Sequence, residues 1–381
     1  MTQSRRDFLK QAVAATAAAA VPMSVARIDP SAAVQQRPSI PYVDGLSFLS
    51  PDPQDVGRSG LTAFICDVSS VERLPTTDGS IKYFRSFEAC ARSLTAMRRT
   101  LQAGQIPGAF LATRGSEIAD AFKQGRAAIF FQMQGCEPIG DQLWRLDLFH
   151  ELGLRVQQIT HHNDNPWGGG AIEKNWSGLT KVGFEGVERL NDLKIIPDLS
   201  HGSDLTALDV LKTSKSPVII SHGGARALVP NARCSPDEVI RKVGESGGVM
   251  GIFMMSMWLT TDPQPSVDAY VRQLRHVINL AGIDAVGIAN DYTVAGELTA
   301  AKAGNDNARI ISNYHAWWDS VAKQGVMGFD TRPPHAVIPE LNNVRRMFLI
   351  ETALRQHRFT QIEVEKIMGG NWMRVLRDVL G

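Results

Sequence analysis

An α/β fold, a closed (β/α)8 barrel of the TIM type with a carboxyl-terminal helical extension, is what this sequence of 381 residues predicts. Three observations carry the prediction. Short apolar or β-branched runs alternate with helical patterns, which argues for parallel pairing. Eight such runs occur, the number that closes a barrel. Four of them end in a polar residue, His161, His201, His222 or Asp291, and a barrel brings those carboxyl ends to one mouth. A doubly wound open sheet is the structural alternative.

The strand candidates in chain order are YVDGLSFL (42–49), LTAFICDV (61–68), AAIFFQMQ (127–134), RVQQITH (155–161), KIIPDLSH (194–201), PVIISH (217–222), GVMGIFM (248–254) and AVGIAND (285–291). Between them, FRSFEACARSLTAMRRTLQA, GFEGVERLNDLK, SPDEVIRKVGES and VDAYVRQLRHVINLAG place apolar residues three and four apart, the spacing of a buried helix face. Pro236, Asp237 and Glu238 after Ser235 read as a helix start whose acidic residues complement the dipole. Beyond residue 291 the pattern changes to a loop containing NYHAWWDS, with HAWW (315–318) exposed, and then to helices at 340–357, 361–367 and 371–380.

The first residues read as an export signal. Arg5 and Arg6 are followed by Phe8, Leu9 and Lys10, an apolar run, and a small-residue stretch at 24–26. Residues 1–26 are therefore expected to be a twin-arginine signal peptide and 27–381 a single domain working in the periplasm. No other segment is long and apolar enough to span a membrane. A formal net charge of +1 excludes the basic field that a nucleic acid partner requires. Cys66, Cys90, Cys136 and Cys234 lie far apart with no CxxC spacing, so buried free thiols are the default.

The polar strand ends suit chemistry on a small molecule. Imidazoles on successive rigid strands can converge on a divalent ion, and a carboxylate on the last strand can take a proton from water activated there.

Longer motifs then resemble a known family. GLTKVGFEGVERLNDLKIIPDLSHGS (178–203), PVIISHGGARALVPNAR, ITHHNDNPW, VGIANDYT and EKIMGGNWMRVL follow, in order, segments of the membrane (renal) dipeptidase family, amidohydrolase-type metallopeptidases. The resemblance runs from about residue 41 to 380. It implies hydrolysis of dipeptides and related small amides at a two-zinc site, with His201 and His222 as ligands of one zinc. It further implies that His161 stabilises the tetrahedral intermediate, that Arg233 grips the substrate carboxylate and that Asp291 is the acid/base group. Members are often dimers, so a homodimer is expected. His162, one residue beyond His161, is expected to point elsewhere or to cap the loop.

The departures from the family pattern are specific. Where the family's first strand carries Asp-Gly-His-x-Asp, this chain has Asp44, Gly45, Leu46, Ser47 and Phe48, and neither Leu nor Phe binds a metal. Gln134 replaces the bridging glutamate, and a neutral amide is a poor bridge between two dications. Glu137 and Cys136 are the nearby substitutes. Met254 stands in place of a polar tyrosine and would line an adaptable apolar pocket, while Thr293 replaces the second aspartate of the last strand.

The expectation is thus one divalent ion of zinc type, or none. His201 and His222 would hold it, with Gln134, Asp291 or water completing the shell. Three functions stay open: a metal-dependent hydrolase of a small carboxylate-bearing amide or ester, a lyase or isomerase using the retained His/Asp/Arg pocket, and a non-catalytic binding protein.

Overall fold

Eight parallel strands form the ring in the computed structural model, which describes residues 37–75, 81–296 and 308–381. The expected signal peptide, residues 1–26, lies outside the described residues. The strands are β1 Val43–Asp44, β2 Ala63–Asp67, β3 Ala127–Gln134 and β4 Leu154–Gln158. They continue as β5 Ile196–Asp198, β6 Ile220–Gly223, β7 Met250–Ile252 and β8 Val286–Ile288. The hydrogen-bonded order is β6-β7-β8-β1-β2-β3-β4-β5. A parallel bridge between Asp198 and Ile219 then sets β5 beside the start of β6. Leu199 N donates to the Ile219 carbonyl at 2.8 Å there, so the sheet curls back on itself.

The outer layer follows the apolar stripes read from sequence: α1 Phe87–Gln102, α2 Glu117–Gln124, α3 Trp144–Glu151, α4 Lys181–Asp192, α5 Asp204–Thr213, α6 Asp237–Glu245 and α7 Val267–Ala281. Side-chain caps start three of them. Ser86, Thr180 and Ser203 accept from the main-chain N–H of Ala89, Gly183 and Thr206, satisfying amides that have no partner inside the helix.

Several strands stop short of their expected ends. The runs 194–201 and 285–291 leave the sheet at Asp198 and Ile288, because His201 and Asp291 adopt left-handed backbone, φ 66° and 56°, which no strand accommodates. Pairing that sequence did not reveal appears at the rim. Ser47–Phe48 runs parallel to Tyr292–Thr293, joining the extensions of β1 and β8. Ala109–Leu111 fills the β3 edge ahead of β4, and Glu72–Pro75 pairs antiparallel with Ile81–Phe84.

One expectation is corrected outright. NYHAWWDS is not a loop but part of α8, Ala308–Ala322, and HAWW is not exposed as a unit. Ile311, Trp318 and Val321 are buried at helical spacing, and Trp318 Nε1 donates to the Phe329 carbonyl at 2.9 Å. The chain ends in α9 Arg346–Gln356 and α10 Asn371–Leu380. All four cysteines are free and buried, and among the described residues no helix is long and apolar enough to cross a membrane.

The α10 helix closes the ring from one end. Trp372, Val375 and Leu376 pack on inward residues of the strands, Val43, Ile65, Phe130, Val156, Ile196 and Val249 among them, in a cluster separate from the outer helical core. The Trp372 indole sits where side chains on Gly45, Gly251 and Gly287 would stand, and its Nε1 donates to the Ile288 carbonyl at 2.9 Å. Three strands give up their Cβ atoms to admit this ring. Trp372→Ala should lower unfolding stability by about 3–5 kcal/mol, the cost of a large cavity in a packed interior. Denaturant titration checks this; a loss below about 1 kcal/mol would show that the plug is dispensable.

Candidate functional site

Four imidazoles meet at the carboxyl ends of β4, β5 and β6. His161 and His162 follow β4, His201 follows β5, and His222 lies within β6. Ring centroids are 4.3 Å apart for His161 and His162, 4.4 Å for His161 and His201, 4.4 Å for His162 and His201, and 4.9 Å for His201 and His222. His162 therefore does not point elsewhere, as expected from sequence. Its φ of 67° reverses the chain direction that would have sent adjacent side chains apart, and both rings enter the same cluster.

Hydrogen bonding fixes how the imidazoles are protonated. Asp198 is wholly buried and accepts from Gln132 Nε2 at 2.6 Å, Ser200 N at 3.0 Å, Ser200 Oγ at 2.8 Å and Ser221 N at 2.8 Å. Ser221 Oγ completes its shell at 2.6 Å. That short, charge-assisted bond takes the serine hydrogen. Ser221 Oγ must then accept from His222 Nδ1, 2.7 Å away, leaving His222 Nε2 with its lone pair. His201 Nε2 lies 2.8 Å from that lone pair and itself accepts from an Arg233 terminal N–H at 3.0 Å, so the His201 hydrogen sits on Nδ1, toward His162 Nδ1 at 3.1 Å. Donation runs from His222 through Ser221 to Asp198, and the Nε2 lone pairs of His201 and His222 face each other.

Charge accompanies the rings. Arg233, buried in the loop after β6, places a terminal nitrogen 3.0 Å from His201 Nε2 and donates to the His222 carbonyl at 3.4 Å. Its guanidinium also lies 5.2 Å from the Phe253 ring and 5.6 Å from that of Trp258. Asp291 Oδ1 stands 4.0 Å from His222 Nε2. The Leu46 carbonyl holds the Asp291 N–H at 2.9 Å, so the first-strand position that lacks a ligand side chain still positions the carboxylate through its main chain. Burial pushes the Asp291 carboxyl up to about 7 against the pull of Arg233, with Asp44, Asp67 and Asp198 adding to the rise. Burial holds His201 and His222 well below the usual imidazole range, and Arg233 deepens the shift. His162 falls to about 3 for the same reasons. Neutral rings are the form that binds metal.

The donor set fits a single ion of zinc type: imidazole nitrogens from several strand ends, with a carboxylate nearby. It does not fit two. Leu46 is wholly buried and Phe48 is paired with Thr293 at the rim. Gln134, expected as a ligand, is buried at the end of β3 with its main-chain N–H turned to the Asp67 carboxylate. Glu137 folds over Gly135, whose φ of 116° and missing Cβ leave room for the carboxylate. Burial raises the Cys136 thiol far above its usual range, so it offers no thiolate. Met254, expected to line a pocket, has no accessible surface and ties β7 to β8 by donating to the Asn290 carbonyl at 3.3 Å.

Sequence reasoning missed three participants. Ser221 and Asp198 read as ordinary strand residues, although the Asp-Leu-Ser-His and Ser-His pairs that contain them were in view. Arg85 follows an isolated hairpin with no strand-end signal. It is buried, donates to Ser69 Oγ at 3.2 Å and lowers His161 and His162 by its charge.

The loop that carries His162 approaches its own backbone closely at Gly170. A Cβ at Gly170 would run into the His162 carbonyl, which also accepts from Ile172 N at 2.9 Å. Gly170→Ala should therefore cost about 1–3 kcal/mol by forcing a backbone shift. At the helical Gly57 a Cβ meets nothing, and Gly57→Ala should stabilise by about 0.5–1 kcal/mol. Paired denaturant unfolding distinguishes the two; equal effects would show that the His162 turn is not held by that contact.

Comparison with known proteins follows the same lines. A model of the membrane dipeptidase family, peptidase family M19, matches residues 75–309. Dipeptidase tcpJ of Claviceps purpurea (strain 20.1) is 29% identical over 273 residues, which are 71% of this chain and 55% of that protein, so the chain spans about half the length of that relative. An amidohydrolase from Pseudomonas aeruginosa superposes with a TM-score of 0.74 at 25% identity, over 93% of this chain and 100% of that one. A metallopeptidase from Rhodobacter sphaeroides, solved with a phosphinate mimic of the dipeptide L-Ala-D-Ala, shares the fold with a TM-score of 0.68 at 20% identity, over 89% and 99% of the two chains. With well over half of its length matched by one family model, the chain belongs to the membrane dipeptidase family.

Proposed function

We propose that the protein is a metal-dependent hydrolase of small carboxylate-bearing amides or esters, working with one divalent ion. The observation that carries this reading is the convergence of four neutral imidazoles, Asp291 and Arg233 at one barrel mouth. A divalent ion held by His201 and His222, whose Nε2 atoms face each other beside Asp291, would supply Lewis acidity and a water of lowered pKa. Arg233 presents a planar fork suited to a substrate carboxylate. Asp291, with a carboxyl near neutrality, can take a proton from the attacking water and pass it to the leaving group. His161, stacked on His201, lies where it can donate to an oxyanion. The lost first-strand ligands argue against a second ion.

Elemental analysis of protein purified without chelators should find close to one zinc-type ion per chain. Turnover on a panel of dipeptides should fall with chelation and return with zinc. Asp291→Asn should lower kcat by about 10²–10⁴ with KM little changed, and Arg233→Lys should raise KM by about tenfold or more. Undiminished turnover by chelated, metal-free protein would sink the reading.

The donor chain from His222 through Ser221 to Asp198, beside the Asp291 carboxyl, also favours a second reading, acid/base elimination or isomerisation. Products formed in ¹⁸O-labelled water separate the two: hydrolysis incorporates label, and elimination does not.

A further inference from the structure

We infer that Trp317 is a specificity-determining residue, and that the substrate carries an aromatic side chain on the residue whose carboxylate Arg233 holds. The inference rests on the hydrolase reading of this site and names the class of substrate that the site takes.

The first argument is placement. Helix α8 is anchored to the core by Ile311, Trp318 and Val321, and the Trp318 indole donates to the Phe329 carbonyl at 2.9 Å. Successive residues of a helix point about 100° apart, so burying Trp318 turns Trp317 out of that core. It turns toward the barrel mouth, where its ring centroid lies 5.2 Å from that of His162 at an interplanar angle of 42°. Trp317, His161 and His162 are part-exposed, whereas Arg233, His201 and His222 are buried. Trp317 thus belongs to the accessible lining of the site.

The second is the packing of the rings around it. Phe329 at 5.5 Å, Trp318 at 6.2 Å, Trp258 at 6.5 Å and Tyr314 at 6.5 Å all meet Trp317 at interplanar angles between 72° and 87°. These edge contacts hold the indole in place. Among the described residues no ring stacks parallel on Trp317, and a fixed, part-exposed indole without a stacked partner is a platform for a planar group.

The third is continuity with the carboxylate clamp. The Trp258 ring lies between the two, 5.6 Å from the Arg233 guanidinium and 6.5 Å from the Trp317 ring. Arg233 and Trp317 therefore share one wall, and a single amino-acid residue can set its carboxylate on the first and its side chain on the second.

The fourth is charge. A cationic side chain can also lie on an indole face, but Arg233 sets a fixed positive charge on the same wall, and the carboxylate of Asp319 on α8 is taken by Arg332. An uncharged aromatic ring meets no such opposition.

The test compares two dipeptides on the full chain supplied with zinc, alanine followed by phenylalanine and alanine followed by cyclohexylalanine, each in both configurations at the second residue. Both side chains are apolar and of similar size, and one is aromatic. Wild-type kcat/KM should favour phenylalanine by about fivefold, chiefly through KM. Trp317→Leu should bring that ratio to about one, and Trp317→Phe should hold it at about twofold or more. Calorimetric titration with free phenylalanine, cyclohexylalanine and lysine reads the same preference without turnover, and circular dichroism confirms that each variant is folded. Turnover with a wild-type ratio near one, a ratio that Trp317→Leu leaves unchanged, or tighter binding of lysine than of phenylalanine overturns the inference and leaves the hydrolase reading standing. If neither dipeptide is cleaved while phenylalanine still binds more tightly than cyclohexylalanine, and Trp317→Leu abolishes the difference, the aromatic subsite stands and the hydrolase reading fails. Neither turnover nor preferential binding fails both.

Discussion

The buried carboxylate of Asp198 is the constraint on which both the barrel and its mouth depend. Its main chain pairs with Ile219 at the seam between β5 and β6, and its side chain gathers donors from β3, from the turn after β5 and from β6. A buried anion is stable only when its hydrogen-bonding capacity is filled, and filling this one draws three strands to a common point. The same carboxylate, through Ser221, decides which nitrogen of His222 carries hydrogen, and Arg233 decides the same for His201. Closing the ring and setting the protonation of His222 are thus one event, and a defect in the seam would reach the site without touching it.

Much of this was legible in the chain. Period and alternation located all eight strands, and AAIFFQMQ matches β3 residue for residue because a strand buried on both faces is a continuous apolar run. His161, His201, His222 and Asp291 were found because a polar residue at the end of an apolar run is conspicuous. His162 was not, because strand logic sends neighbours to opposite faces, and nothing in the letters announces a left-handed turn. The NYHAWWDS helix was hidden by its mixture of polar and aromatic residues, whose spacing makes sense only once Ile311, Trp318 and Val321 have a core to face. Arg85 was invisible because its role comes from neighbours distant in sequence.

The departures at the first strand take on a structural sense in the folded chain. Leu46 fills core, and its carbonyl holds the amides of Asn290 at 3.2 Å and Asp291 at 2.9 Å. Asp44 accepts from the Asn290 main chain at 3.0 Å and from its side chain. The ends of β1 and β8 are therefore stitched by hydrogen bonds at the place where the family pattern carries metal ligands. Rigidity at the rim comes from the protein itself, and Asp291 keeps its position without an ion bound to β1.

The tryptophan plug bears on when the protein can fold. The interior of the ring is completed by α10, including a ring that the glycines at the ends of β1, β7 and β8 were left bare to receive. Until that helix docks, the cavity between the strands has no occupant and apolar surface on their inward faces stays wet. The barrel is thus a structure that consolidates late, and strands already paired would carry all of the site residues and still lack the keystone that holds them in place.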